Sequence, residues 1–139
     1  MKVSVKLEKG MRLAGKNESG LVTYFDTHKE FGGDDSAPTP MVVMLESLAG
    51  CTAMDVLTML RKRKKTITDF EIEVDGERAS EHPKVFIKAN LIFKLTSPDT
   101  KTEELEQAIK LSQDKYCSVS AMFNKSGCNI QWKAILNPD

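Results

Sequence analysis

The chain has 139 residues, 20 basic and 20 acidic side chains and a net charge of zero at neutral pH. Its length fits one domain with a core large enough to fold without staples, so a single domain over residues 1–139 is expected. Charge balance removes the broad positive field that drives non-specific nucleic-acid binding, and no nucleic-acid partner is expected.

At the amino terminus, MKVSVKLEKGMRL alternates polar and apolar residues, which does not match the charged end and apolar run of a secretory signal. Lys2 to Lys9 has period two and predicts a strand with Val3, Val5 and Leu7 on one face. Met11 to Ala14 and Leu21 to Asp26 predict two further strands around the turn-rich GKNESG, completing an amino-terminal meander. Residues 28–39, HKEFGGDDSAPT, read as a loop, in which Asp34 and Asp35 shape the approach to a helix. His28 and His82 are isolated in turn-rich segments, where a solvated histidine is the ordinary outcome, so no metal site is expected from them.

Thr39 followed by Pro40 is a helix start: Thr can cap free amides and Pro loses no hydrogen bond at the first helical position. The helix is expected to run to about Lys64, its last turn carrying Arg61, Lys62, Arg63 and Lys64 at the negative end of the dipole. That basic run reads as a solvated helix end, since no aromatic residues are interleaved. Met44, Leu45, Leu48, Val56, Leu57 and Leu60 spread around the wheel, which predicts a centrally buried helix. Glu46 and Asp55 make the same segment a poor membrane span.

Ile67 to Arg78 and Val85 to Thr96 alternate and read as a hairpin, linked by a segment containing Pro83. Thr102 to Tyr116 is amphipathic, with Leu105, Ala108, Ile109 and Ser112 on one stripe and Thr102 as the expected cap. A short helical turn after Cys117 and a last strand from Cys128 to Leu136 follow. Strands and helices grouped in this unequal way indicate an α+β fold. No dinucleotide, phosphate-loop, serine-hydrolase or zinc-protease motif occurs, which leaves the three cysteines as the main chemistry.

An odd count at positions 51, 117 and 128 fits neither a secreted disulfide framework nor a zinc ribbon, and in a reducing cytoplasm a disulfide here would be catalytic or redox-sensing. A Cys in a buried helix is more often core filling than a nucleophile. Cys51 follows Gly50, whose missing side chain would let a substrate approach the sulfur, while Asp55 one turn on would disfavour its thiolate. Cys117 stands at the start of SVSAMF, where helix-start amides would favour its thiolate; the alternative is a buried link between helices. Cys128 is in phase with Ile130, Trp132 and Ala134 and reads as core.

The segments GMRLAGKNESG, GGDDSAPTPM, LAGCTAMDVL and KYCSVSAMF, together with the order of elements over essentially the whole chain, resemble the OsmC/Ohr family. The resemblance implies an OsmC-like α+β fold with antiparallel sheets around a long central helix, in an interlocked homodimer. It implies a thiol peroxidase without a cofactor, in which Cys51 attacks an organic hydroperoxide, Cys117 resolves the product to a disulfide, and a dithiol reductant restores the pair. Two features depart from that pattern. Strongly active members carry Glu directly after the helix-starting Pro and an activating Arg in the early strands, whereas this chain has Met41 at the first position and Lys16, Asn17 and Glu18 at the second. Arg12 is the nearest Arg candidate; Glu46 offers a carboxylate but lies about 140° round the helix from Cys51, and if buried it calls for a cation from a second chain. Ser118 replaces the usual Pro after the second Cys. The alternative is a non-catalytic domain of the same fold that binds a small hydrophobic ligand or senses thiol state.

Overall fold

The computed structural model describes all 139 residues, which form two compact units, Met1–Met44 and Leu45–Asp139. The fold is α+β.

In the amino-terminal unit, β1 (Val3–Lys9), β2 (Arg12–Asn17) and β3 (Val22–Phe25) form an antiparallel meander in that order. Val3, Val5 and Leu7 share a face as their spacing requires, but they are 74, 56 and 59% exposed, so nothing within this unit covers that face. Beyond β3 the chain makes a loop organised by Asp26. Its carboxylate is only 3% exposed and accepts hydrogen bonds from the amides of Thr27 (2.8 Å), Asp34 (3.2 Å) and Ser36 (3.0 Å) and from the Ser36 hydroxyl (2.6 Å). Four donors on one carboxylate, the Ser36 hydroxyl foremost, hold its pKa far below the usual carboxylate range. A depressed folded pKa adds stability that is fully present above the unfolded value and is lost progressively as pH falls from there towards the folded one. Urea midpoints of the parent and of Asp26→Asn are therefore expected to differ at pH 6, with the gap starting to narrow below about pH 4 and shrinking further as pH falls. A gap as wide at about pH 2 as at pH 6 would contradict this.

Asp35, at φ 53°, completes the loop by accepting from His28 Nδ1 at 2.7 Å. That bond holds its pKa below the ordinary value and occupies the histidine in loop structure. Val42 donates its amide to Thr39 Oγ1 (3.5 Å) at the start of α1 (Pro40–Lys62). The helix stops two residues before the expected end because Lys64 turns left-handed (φ 59°). Lys65 N then donates to Leu60 O and Lys64 N to Arg61 O, a Schellman closure built on lysine where glycine is usual.

In the larger unit, β4 (Asp69–Arg78) pairs antiparallel with β5 (Phe86–Thr96), the expected hairpin. β6 (Asn129–Leu136) lies on the other side of β5 and runs parallel to it, which period-two patterning does not encode. A parallel return needs a crossover. It is supplied by α2 (Thr102–Leu111), a single π-helical turn (Ser112–Tyr116) and α3 (Ser118–Lys125), with both helices against β6.

The cap of α2 is Lys101, not Thr102. Its amide donates to the Glu104 carboxylate at 2.9 Å, and Lys65 Nζ lies 2.8 Å from that same carboxylate. Ala89, Leu91, Phe93 and Leu95 of β5 form the inner row of the core. The register skips Ile87, and this bulge puts Phe86 on the inner face as well, where it stacks on Phe123 at 5.7 Å.

Only Leu48, Thr52, Val56 and Leu60, spaced four apart, are buried on α1. Val42, Met44 and Met54 are exposed, so within a single chain the apolar sequence is covered on one side only. By length and composition α1 could cross a bilayer, but its buried stripe and the polar contacts below make it a core helix of this fold. Gly76 on β4 lets the helix come close: a Cβ there would lie 2.8 Å from both Leu45 Cδ1 and Phe86 Cε1.

Candidate active site

α1 carries Cys51 beside its buried stripe, half-buried and free, with Thr52 fully buried next to it. Cys117 is the residue preceding α3 and is 2% exposed. The crossover brings it onto α1, where the Thr52 hydroxyl donates to Cys117 Sγ at 3.4 Å and Cys51 is close enough to bear on its ionisation. Sixty-six residues apart in sequence, the two sulfurs thus meet in one site. Cys128, buried just before β6, is not part of it, and burial pushes its pKa up.

A polar network surrounds Cys117. The Ser120 amide, two residues inside α3, donates to its sulfur at 3.3 Å. Ser120 Oγ donates to Gln113 Oε1 (2.6 Å), and Gln113 Nε2 donates to Thr52 Oγ1 (2.9 Å). Ser112 Oγ donates to Asp55 Oδ2 at 2.8 Å, and the Ser112 carbonyl accepts the Cys117 amide. The π-helical turn makes this arrangement: one extra residue in the turn puts Ser112 and Gln113 side by side against α1.

The expected thiolate-favouring position of Cys117 is corrected here. The helix-start amide is present and lowers its pKa, as does Thr52, but desolvation by burial is the largest influence and the pKa is raised. The neighbouring Cys51 also raises it, so Cys117 is held as the thiol.

The supporting residues named from sequence divide. Asp55 is next to the site, with its carboxylate taken up by Ser112. Glu46 is exposed in this chain. Arg12 belongs to the amino-terminal unit: Nε donates to Glu8 (3.0 Å), an η nitrogen donates to the carbonyl and hydroxyl of Ser36 (both 2.9 Å), and the guanidinium lies 4.4 Å from the Tyr24 ring centroid. It fastens the loop to the meander. A Cβ on Gly50 would meet nothing within 4 Å, so the chain leaves the residue before Cys51 open.

Thr52, Gln113 and Ser120 were not singled out from sequence. A signal exists for Thr52, the one polar member of the row Leu48, Thr52, Val56 and Leu60. A hydroxyl locked into a buried helical stripe needs a partner.

Residues 33–133 match the family model described as OsmC-like protein. The chain belongs to the OsmC-like family. It is 35% identical over 126 residues to Protein YhfA of Escherichia coli K12, covering 91% of each chain. Among solved structures, this OsmC-like chain is similar to a hypothetical protein from Aquifex aeolicus, with 28% identity, a TM-score of 0.81 and coverage of 99 and 97% of the two chains. It also shares its fold with an organic hydroperoxide resistance protein OsmC from Legionella pneumophila, with 16% identity, a TM-score of 0.64 and coverage of 99 and 98%.

Proposed function

We propose that this OsmC-like protein is a cytoplasmic hydroperoxide reductase working through a Cys51–Cys117 thiol–disulfide cycle. The observation that carries the proposal is the nearness of Cys51, half-buried and beside an open glycine, to Cys117, which is buried and accepts at its sulfur from the adjoining Thr52. Cys51 as the thiolate attacks the O–O bond of ROOH, forming a sulfenic acid and releasing ROH. Cys117 then displaces hydroxide from that sulfur to form the disulfide, and a dithiol reductant reopens it. An organic hydroperoxide is the expected oxidant, since each methylene it buries contributes about 0.8 kcal/mol. A homodimer is part of the proposal: the exposed apolar faces of β1 and of α1 at Val42, Met44 and Met54 need a cover, and a second copy supplies one.

A second reading, a ligand-binding or thiol-sensing domain, is favoured by one observation, Met41 at the position of the family's activating Glu. Cumene hydroperoxide added to reduced protein separates the two. The reductase loses two thiols per chain faster than free cysteine does, and peptide mass spectrometry finds a 51–117 bridge. Thiols lost no faster than free cysteine, or a bridge to Cys128, would overturn the proposal.

A further inference from the structure

We propose that Thr52 is a positioning residue for the disulfide-forming step: its hydroxyl, aimed by Gln113, holds the Cys117 sulfur on Cys51 and stabilises the negative charge that sulfur carries when it attacks. The inference rests on the thiol cycle proposed above and assigns one of its steps to a residue that does not itself react.

The bonds of the network run in one consistent direction. Ser120 Oγ has its proton on Gln113 Oε1, which fixes the carboxamide so that Nε2 faces α1 and donates to Thr52 Oγ1. With its oxygen accepting there, the only proton of Thr52 goes to Cys117 Sγ. A threonine inside a helix ordinarily turns its hydroxyl back to the carbonyl four residues earlier. Thr58, six residues on in the same helix, does so, donating to Met54 O at 2.6 Å. Thr52 is drawn away from that arrangement by Gln113 and given to the sulfur.

The chemistry requires such a donor. In the second step the Cys117 sulfur gives up its proton and attacks the sulfur of Cys51–SOH. An S–S bond forms, the S–O bond breaks, and the departing hydroxide takes up that proton as water. No oxidant beyond the hydroperoxide of the first step enters. Burial opposes the anion, and the donors that counter it are the Thr52 hydroxyl and the Ser120 amide. The titratable group bearing on Cys117 is Cys51 itself; Asp55, one turn along α1, is engaged by Ser112.

Thr52→Val removes the hydroxyl and keeps the shape, whereas Thr52→Ser keeps the hydroxyl. After one equivalent of cumene hydroperoxide, dimedone trapping is expected to show the Cys51 sulfenic acid persisting about tenfold longer in Thr52→Val, with disulfide formation slowed more than peroxide consumption and near-parental behaviour in Thr52→Ser. In a Cys51→Ser background, the ¹³Cβ shift of Cys117 followed against pH is expected to titrate about one unit higher with Val and at the parental pH with Ser. Gln113→Ala, which leaves both sulfurs and the hydroxyl in place, moves both readings in the same direction and serves if the valine variant does not fold. Unchanged sulfenic acid lifetime and titration in Thr52→Val, or equal losses in Val and Ser, would overturn the inference. If the parent forms no sulfenic acid at all, the reductase reading fails, and the Cβ titration still decides what Thr52 does.

Discussion

Cys51→Ser is expected to reduce hydroperoxide turnover by at least about three orders of magnitude, because a neutral hydroxyl cannot replace the nucleophile of a two-residue unit. Cys117→Ser has a different expected outcome. The attacking sulfur remains, so one equivalent of peroxide is consumed at Cys51, but no partner captures the sulfenic acid. Further peroxide carries it to sulfinic and sulfonic acid, which a dithiol does not reverse. Mass spectrometry after a peroxide titration tells the two apart: Cys51→Ser gains neither oxygen nor a bridge at these positions, and Cys117→Ser gains oxygen on the Cys51 peptide and loses activity within a few turnovers. Sustained turnover by Cys117→Ser with a dithiol would show that resolution proceeds without the second sulfur.

Gly33→Ala is the substitution expected to affect stability most. Gly33 needs no unusual dihedral; it lacks room. A Cβ there would lie 1.9 Å from the Thr27 carbonyl oxygen, 2.5 Å from its carbon and 2.8 Å from Asp26 Oδ1. Flexible side chains give way to an added methyl, but a carbonyl held inside a loop does not. The Asp35 amide also donates to that Thr27 oxygen, so moving it breaks a second contact. The cost is expected at or above the upper end of the roughly 1–3 kcal/mol typical of overpacking, read as a lower urea midpoint. Gly50→Ala, which meets nothing within 4 Å in this chain, is the matched control and is expected to leave the midpoint of the isolated chain near the parent's. A Gly33→Ala midpoint equal to the parent's would mean that the loop rearranges freely.

Much of the fold was legible in the chain. The alternation within residues 67–96 gave the hairpin, and Thr39–Pro40 marked the start of α1. What escaped depends on partners distant in sequence or on backbone choices that composition does not specify. Period two puts Val3, Val5 and Leu7 together but does not say whether anything covers them. It marks β6 as a strand and is silent on its parallel pairing. Lys64 in the left-handed region ended α1 where no glycine announced a stop.

The site divides in the same way. Cys51 and Cys117 were legible as candidates because thiols in such settings are few, and Cys128 because its phase marked it as core. Thr52, Gln113 and Ser120 were not, because their roles exist only once the π-helical turn sets them against α1. The local argument for an ionised Cys117 correctly identified the amide donor at 3.3 Å and missed the desolvation that outweighs it. Burial is a property of the whole fold.

The parallel course of β6 has a mechanical corollary. The segment bearing Cys117 is tethered at both ends to one sheet, by β5 before it and by β6 after it, and so has little slack. Joining two sulfurs that already lie in one site demands only a small displacement, and the oxidised and reduced proteins should be nearly superimposable. Whatever reopens the bridge must then come to a sulfur at the surface, since the scaffold offers no swing that would carry the bond outward.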